Sequence, residues 1–238
     1  MRLTRLVVAL TLLAGLSAPA AAQTQGKFKF LDGSPYDPQP TLTVSGRTYY
    51  TSIYRGQFLS GVPGNPTVDI FCVDFFHSVG TNNEWDAWFS PVSGNLEQTY
   101  GMRFRGWTQE IATERYKAAA YLATQFSLAD KASWPTYQKT IWNLMGQQTL
   151  DNVFTDANNS SLFPLAVSNS TLNDAITGGQ GIDASEWTVI SDVNATSSSG
   201  KQEFLVQQSV VPEPETVILL VTGLLALGAV AYFRGISA

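Results

Sequence analysis

Cysteine occurs once in the 238 residues, at Cys72, and histidine once, at His77. A single thiol cannot close an internal disulfide, so the fold must rest on its core and not on covalent staples. One Cys and one His are also too few for a zinc site. The Asp and Asn residues between Asp151 and Asp156 do not follow the spacing of an EF-hand loop. No metal and no cofactor are therefore expected. Positive charge is sparse too: 14 Lys and Arg stand against 19 Asp and Glu, and the cations form no cluster. Phosphate binding needs clustered cations, which excludes nucleic acid as an expected partner. Surface polarity comes instead from Ser, Thr, Asn and Gln, and no internal repeat is visible.

What the chain does have begins at its ends. Arg2 and Arg5 precede an apolar run from Leu6 to Leu16, and Ala20-Ala21-Ala22 closes a small-residue stretch. These are the three parts of a secretory signal peptide, with cleavage expected before Gln23. Loss of residues 1–22 leaves 12 basic residues against 19 acidic, a net charge of −7. At the other end Val211-Pro212-Glu213-Pro214-Glu215 leads into an uncharged apolar run at 217–233, followed by Arg234. That run makes a helix of ~25 Å at 1.5 Å per residue, the thickness of a bilayer core. Gly223 and Gly228 inside it are tolerated in membrane helices, and the prolines mark its start.

The tail at 211–238 resembles the PEP-CTERM sorting signal of Gram-negative bacteria: a Pro-Glu-Pro motif (Pro212, Glu213, Pro214), an apolar helix and a basic end (Arg234). The resemblance implies recognition by an exosortase, a membrane-embedded cysteine peptidase, and a place at the cell surface or in the extracellular matrix. It also implies an association with exopolysaccharide and biofilm.

Between the ends, residues 23–208 are enough for one domain. Strand signals occur at Lys27–Leu31, in a hairpin over Thr41–Phe58 with its turn at Ser45-Gly46, and at Thr67–Val79, Trp85–Phe89, Glu186–Val193 and Gln202–Gln207. The period changes in the middle. Ile111, Arg115, Ala118, Ala119, Leu122 and Phe126 share one face of a helix from Gln109 to Phe126, with Thr108 as N-cap. A second helix starts near Pro135 and runs to Met145, before Gly146. A short helix is expected at Thr171–Ile176 in an otherwise polar stretch. The expected fold is a β-rich α+β domain, a β-sandwich or barrel-like body with a two-helix insertion at about 108–146, plus a C-terminal transmembrane helix.

Two segments stand out as carriers of chemistry. Phe71-Cys72-Val73-Asp74 lies in the strongest strand, and Gln138 shares a helix face with Ile141, Trp142 and Met145 at i, i+3, i+4 and i+7. A primary amide on an apolar face is costly unless something answers it. Cys72 on its own is open to three readings: a small core residue, an intermolecular disulfide partner, or a reactive thiol. A Cys72–His77 hydrolase lacks any recognisable oxyanion motif, and enzyme activity is not expected. Gln125, in Ala123-Thr124-Gln125-Phe126, lacks the Ile-Trp context of Gln138.

Together the two segments resemble the thioester domains of bacterial surface adhesins, which pair an aromatic-Cys motif on a strand with a Gln-x-x-Ile-Trp-like motif on a helix. Phe71-Cys72-Val73 matches the first, and Gln138, Ile141 and Trp142 match the second; Tyr137 and Thr140 stand where Thr and Ala are usual. The resemblance implies an internal thioester between Cys72 and Gln138, shielded by a pocket that includes Phe71, Asp74 and Trp142. It implies covalent adhesion to amines or hydroxyls, with protein amines or extracellular polysaccharide as partners. A non-catalytic matrix protein that binds polysaccharide noncovalently is the alternative.

Overall fold

The computed structural model describes residues 23–32, 36, 38–44, 46–146, 167–208 and 223. The signal segment 1–22, the motif Pro212, Glu213, Pro214 and Arg234, and all but one residue of the apolar run 217–233 lie outside the described residues. Among the described residues no helix is long and apolar enough to cross a membrane.

Six antiparallel strands close into a barrel in the order β1 (Thr24–Asp32), β4 (Tyr54–Phe58), β5 (Thr67–Cys72), β8 (Phe204–Gln207), β7 (Trp187–Asp192) and β6 (Glu84–Pro91), with β6 returning to β1. Barrel closure settles the choice between sandwich and barrel. A separate two-stranded sheet, β2 (Thr41–Val44) and β3 (Arg47–Tyr50), is the expected hairpin. The strand expected to continue from it to Phe58 is interrupted at 51–53, where the Thr51 amide donates to the Pro40 carbonyl, and resumes as β4 in the barrel.

The two-residue period sorts side chains between two cores. Phe28, Phe58, Ile70, Cys72, Phe89, Ile190, Phe204 and Val206 point into the barrel. Their rings meet edge to face, Phe28 on Phe58 at 5.2 Å and Phe58 on Phe89 at 4.9 Å. Burial of each such side chain contributes about 1.5–3 kcal/mol. The alternate residues Phe71, Trp187, Val189 and Leu205 face outward, into a second core made with the helices.

The insertion between β6 and β7 is larger than expected. Helices α1 (Tyr100–Arg105), α2 (Gln109–Thr124), α3 (Trp134–Gly146) and α4 (Asn169–Gln180) all lie in it, so among the described residues the insertion holds four α-helices where two are expected. Thr108 caps α2 as expected, accepting from the Ile111 amide at 3.3 Å. Helix α4 is twice the length of the short helix that the sequence suggests. Gly178 and Gly179 weaken it as an isolated helix but let it lie against α2, where a Cβ on Gly179 would stand 2.7 Å from the Ala118 amide nitrogen. Packing overrides propensity there.

Helix α3 positions the site because it straddles both cores. Ile141, Leu144 and Met145 belong to the outer core, whereas Trp142 belongs to the barrel interior. The helix thus lies against the barrel with one indole reaching in beside Cys72.

Candidate functional site

Strand β5 ends at Cys72, not at Val79 as the apolar run suggests. One more backbone bond follows, from the Val73 amide to the Glu203 carbonyl. The chain then turns, because the Asp74 carboxylate accepts from the Phe76 amide two residues on at 2.8 Å, an Asx-type turn. A carboxylate in place of an apolar side chain therefore stops the strand and leaves Cys72 at its tip.

Cys72 is a free thiol, 1% exposed. Its sulfur donates to the Asp74 carbonyl at 3.1 Å and accepts from the Trp142 indole Nε1 at 3.4 Å. Burial pushes the thiol up to about 12, while the Trp142 hydrogen bond pulls it down and Asp74 adds to the rise. Gln138, fully buried, donates from Nε2 to the Cys72 carbonyl at 2.7 Å. Its amide oxygen is buried and has no hydrogen-bond partner among the described residues. The two residues singled out in the sequence are thus neighbours, and the orphan oxygen is a cost that packing alone does not explain. Gln125, by contrast, is exposed at the end of α2.

Of the three pocket residues expected, Asp74 and Trp142 are beside Cys72 and Phe71 is not. Adjacent residues of a strand point to opposite faces, so Phe71 lies on the outer side, its ring 5.4 Å from Phe126 and 6.4 Å from Trp187. Phe75 and Tyr49 take its place, with ring centroids 5.1 Å and 6.0 Å from Trp142. Tyr49 comes from the β2–β3 sheet, which gives that small sheet a role as a cover over Trp142.

A cavity of about 410 Å³ lies on the other side of Trp142 and Asp74, lined among others by those two residues, Phe76, Arg105 and Glu203 but by neither Cys72 nor Gln138. Glu203 is 1% exposed and accepts from the Tyr100 amide and the Ser191 hydroxyl through one oxygen and from the Tyr116 hydroxyl through the other. Burial raises its carboxyl to about 7, against the pull of those hydrogen bonds. Arg105 stands over the Phe76 ring at 4.3 Å and donates to the Gly146 carbonyl. Burial lowers its pKa, and the Asp74 charge opposes the fall. Glu203, Tyr100, Tyr116 and Arg105 carry no local motif; the one signal for Glu203 is an acid at the head of an otherwise apolar strand.

His77 closes one side. Its Nδ1 is 2.6 Å from the Asp74 carboxylate and its Nε2 is 3.2 Å from the Thr196 carbonyl. Both partners are acceptors when Asp74 is ionised, an arrangement that favours the doubly protonated ring. Burial pulls its pKa down, but Asp74, Thr196 and Glu203 together raise it above 6.5. In its doubly protonated form the ring has no free lone pair with which to act as a base.

Among the described residues no group of His, Cys, Asp and Glu could hold a metal ion. No protein-family model matches the chain, and no curated protein or solved structure matches it either.

Proposed function

We propose that the chain is an exported surface or extracellular-matrix protein that attaches covalently to its target through a Cys72–Gln138 thioester. One observation carries the reading: a fully buried Gln138 amide against Cys72, with its oxygen unpartnered among the described residues. An orphan buried acceptor costs about 1–3 kcal/mol, and a chemical role accounts for keeping it. Attack by the Cys72 thiolate on the amide carbon forms the C–S bond and breaks the C–N bond; the proton that the thiol gave up leaves with the nitrogen as ammonia. A target amine then attacks the same carbon. A new amide forms, the C–S bond breaks, and the amine's proton ends on the Cys72 sulfur. The dry aromatic surroundings of Cys72 slow competing attack by water, and the cavity beyond Trp142 and Asp74 is the acceptor's approach.

The two ends of the chain supply the location. The signal segment takes the chain out of the cytoplasm, and the PEP-CTERM-like tail hands it to an exosortase in the membrane. A surface or matrix site in a biofilm-forming Gram-negative bacterium follows from that pairing. The test of the chemistry is the intact mass of the secreted domain. Wild type should fall short of its calculated mass by one ammonia, and methylamine should add at Gln138 and free the Cys72 thiol. A full-mass protein that ignores methylamine would refute the covalent reading. The tail is tested by replacing Pro212 and Pro214 with Ala, which should block its processing in exosortase-positive cells; unchanged processing would remove the sorting assignment.

The cavity favours a second reading, noncovalent binding of polysaccharide or protein by its aromatic and carboxylate walls. Cys72→Ala separates the two. It abolishes covalent attachment and leaves noncovalent binding intact.

A further inference from the structure

We infer that Trp142 is a catalytic residue of the Cys72 site, the hydrogen-bond donor that stabilises the sulfur whenever it carries negative charge. The inference rests on the thioester reading for its chemistry, though not for its geometry. The indole Nε1 points at the Cys72 sulfur at 3.4 Å, across 70 residues of sequence. The indole N–H is a donor only, and Trp142 is 2% exposed. Among the described residues the sulfur is the acceptor recorded for it. An indole needed for packing alone would ordinarily find an oxygen.

The other polar groups around the sulfur are committed elsewhere. The Gln138 nitrogen donates to the Cys72 carbonyl. Both His77 nitrogens are held by Asp74 and Thr196. The Asp74 carbonyl accepts from the thiol. Cys72 otherwise packs among the aromatic residues of the barrel. A charge developing on that sulfur is favoured first by the Trp142 indole dipole and less by the Asp74 backbone. The indole dipole is fixed in advance: Phe75 and Tyr49 hold the ring from two different segments, and α3 holds its backbone. A donor aimed where charge develops, in a dry site, is the arrangement that lowers a barrier without reorganisation.

The two reactions use it unequally. In thioester opening the C–S bond breaks towards sulfur, the electron pair of that bond becomes a thiolate, and the indole N–H bonds to it before the acceptor's proton arrives. The indole keeps its own proton throughout. In thioester formation the thiolate is the attacking species. The same hydrogen bond raises its population and lowers its nucleophilicity, so the two effects partly cancel. Loss of the donor should slow opening more than formation.

The test replaces Trp142 by β-(3-benzothienyl)alanine, which keeps the bicyclic ring and lacks the N–H; Trp142→Phe serves as the second variant. Opening by methylamine, followed by intact mass, should slow by about 10-fold or more, and formation by about 3-fold. A second arm uses the Gln138→Met background, where no thioester can form. There the benzothienyl variant should slow alkylation of Cys72 by iodoacetamide at mildly alkaline pH by about 3-fold. A packing role moves neither rate, because the ring is conserved. If wild type shows no mass deficit, the thioester reading fails and the alkylation arm alone decides the donor. If the deficit is present and the benzothienyl variant opens at the wild-type rate, the donor role is overturned and the thioester stands.

Discussion

The two faces of the β5–β8 pair are built from the same backbone register and could hardly differ more. Cys72 and Phe204 are paired and turn inward, into a core of interlocked aromatic rings. One step along, Val73 and Glu203 turn outward, and Glu203 enters a cavity lined with polar and charged groups. The inner face satisfies itself almost wholly by apolar contact. The outer face holds a buried carboxyl by three hydrogen bonds. The difference shows how a barrel this small keeps a thiol dry beside a polar pocket: alternation does the separating, and the end of β5 is where the two environments meet.

The sharpest way to break the contrast is on its dry side. Phe28→Ala should destabilise the domain by about 3–5 kcal/mol, because it opens a cavity among rings that cannot collapse into it; urea unfolding measures this. The Cys72 site should fail with it, since Trp142 shares that interior.

On the polar side the expected effect depends on pH. The Glu203 carboxyl is raised from an ordinary 4.5 to about 7 in the fold. The folded state therefore binds a proton that the unfolded chain has lost. Stability contributed by the protonated form is fully present below 4.5 and is lost as pH rises through about 7, a change on the order of 3 kcal/mol. His77, also raised, acts with the same sign over a window that begins near 6.5. Thermal unfolding should thus be easier in mildly alkaline than in mildly acidic buffer. Glu203→Gln should flatten most of that slope, and a slope unchanged in Glu203→Gln would show that the carboxyl does not titrate there.

Smaller effects sharpen the boundary between the faces. Cys72→Ala should cost only about 1 kcal/mol, while abolishing the mass deficit and any methylamine addition. Gln138→Met removes the orphan oxygen together with one hydrogen bond to the Cys72 carbonyl. These oppose each other, and the net change should lie within about 1 kcal/mol of zero, again with complete loss of the mass deficit.

Much of this was legible in the sequence, and the reasons for the misses are physical. The placing of Gln138 against Cys72 was anticipated through the resemblance to thioester domains; the lone thiol and the amide on an apolar helix face are anomalies that do not by themselves name each other as partners. Phe71 was misplaced among the pocket residues because it adjoins Cys72 in sequence, which in a strand sends it to the other side. The end of β5 was missed because Asp74 stops the strand through its side chain, within a run that otherwise reads as strand. Glu203 was invisible as a site residue because its meaning comes from Tyr100, Tyr116 and Ser191, which chain distance separates from it. Helix α4 was shortened because Gly178 and Gly179 argue against a helix locally, and only the approach of α2 makes them useful.

Closure of the barrel falls to β8, the last strand, which pairs with β5 on one side and β7 on the other. The contacts it makes with β5 span most of the domain's length, so they carry a large loop-closure cost and belong to the slow part of folding. Until Phe204–Gln207 arrives, both neighbouring strands present open edges, and open edges recruit strands from other molecules. A chain cut before Glu203 would lose that carboxylate and the closing strand in the same stroke. It should accumulate as aggregates and not as a partly working domain, which makes the final few residues of the barrel a checkpoint on completeness.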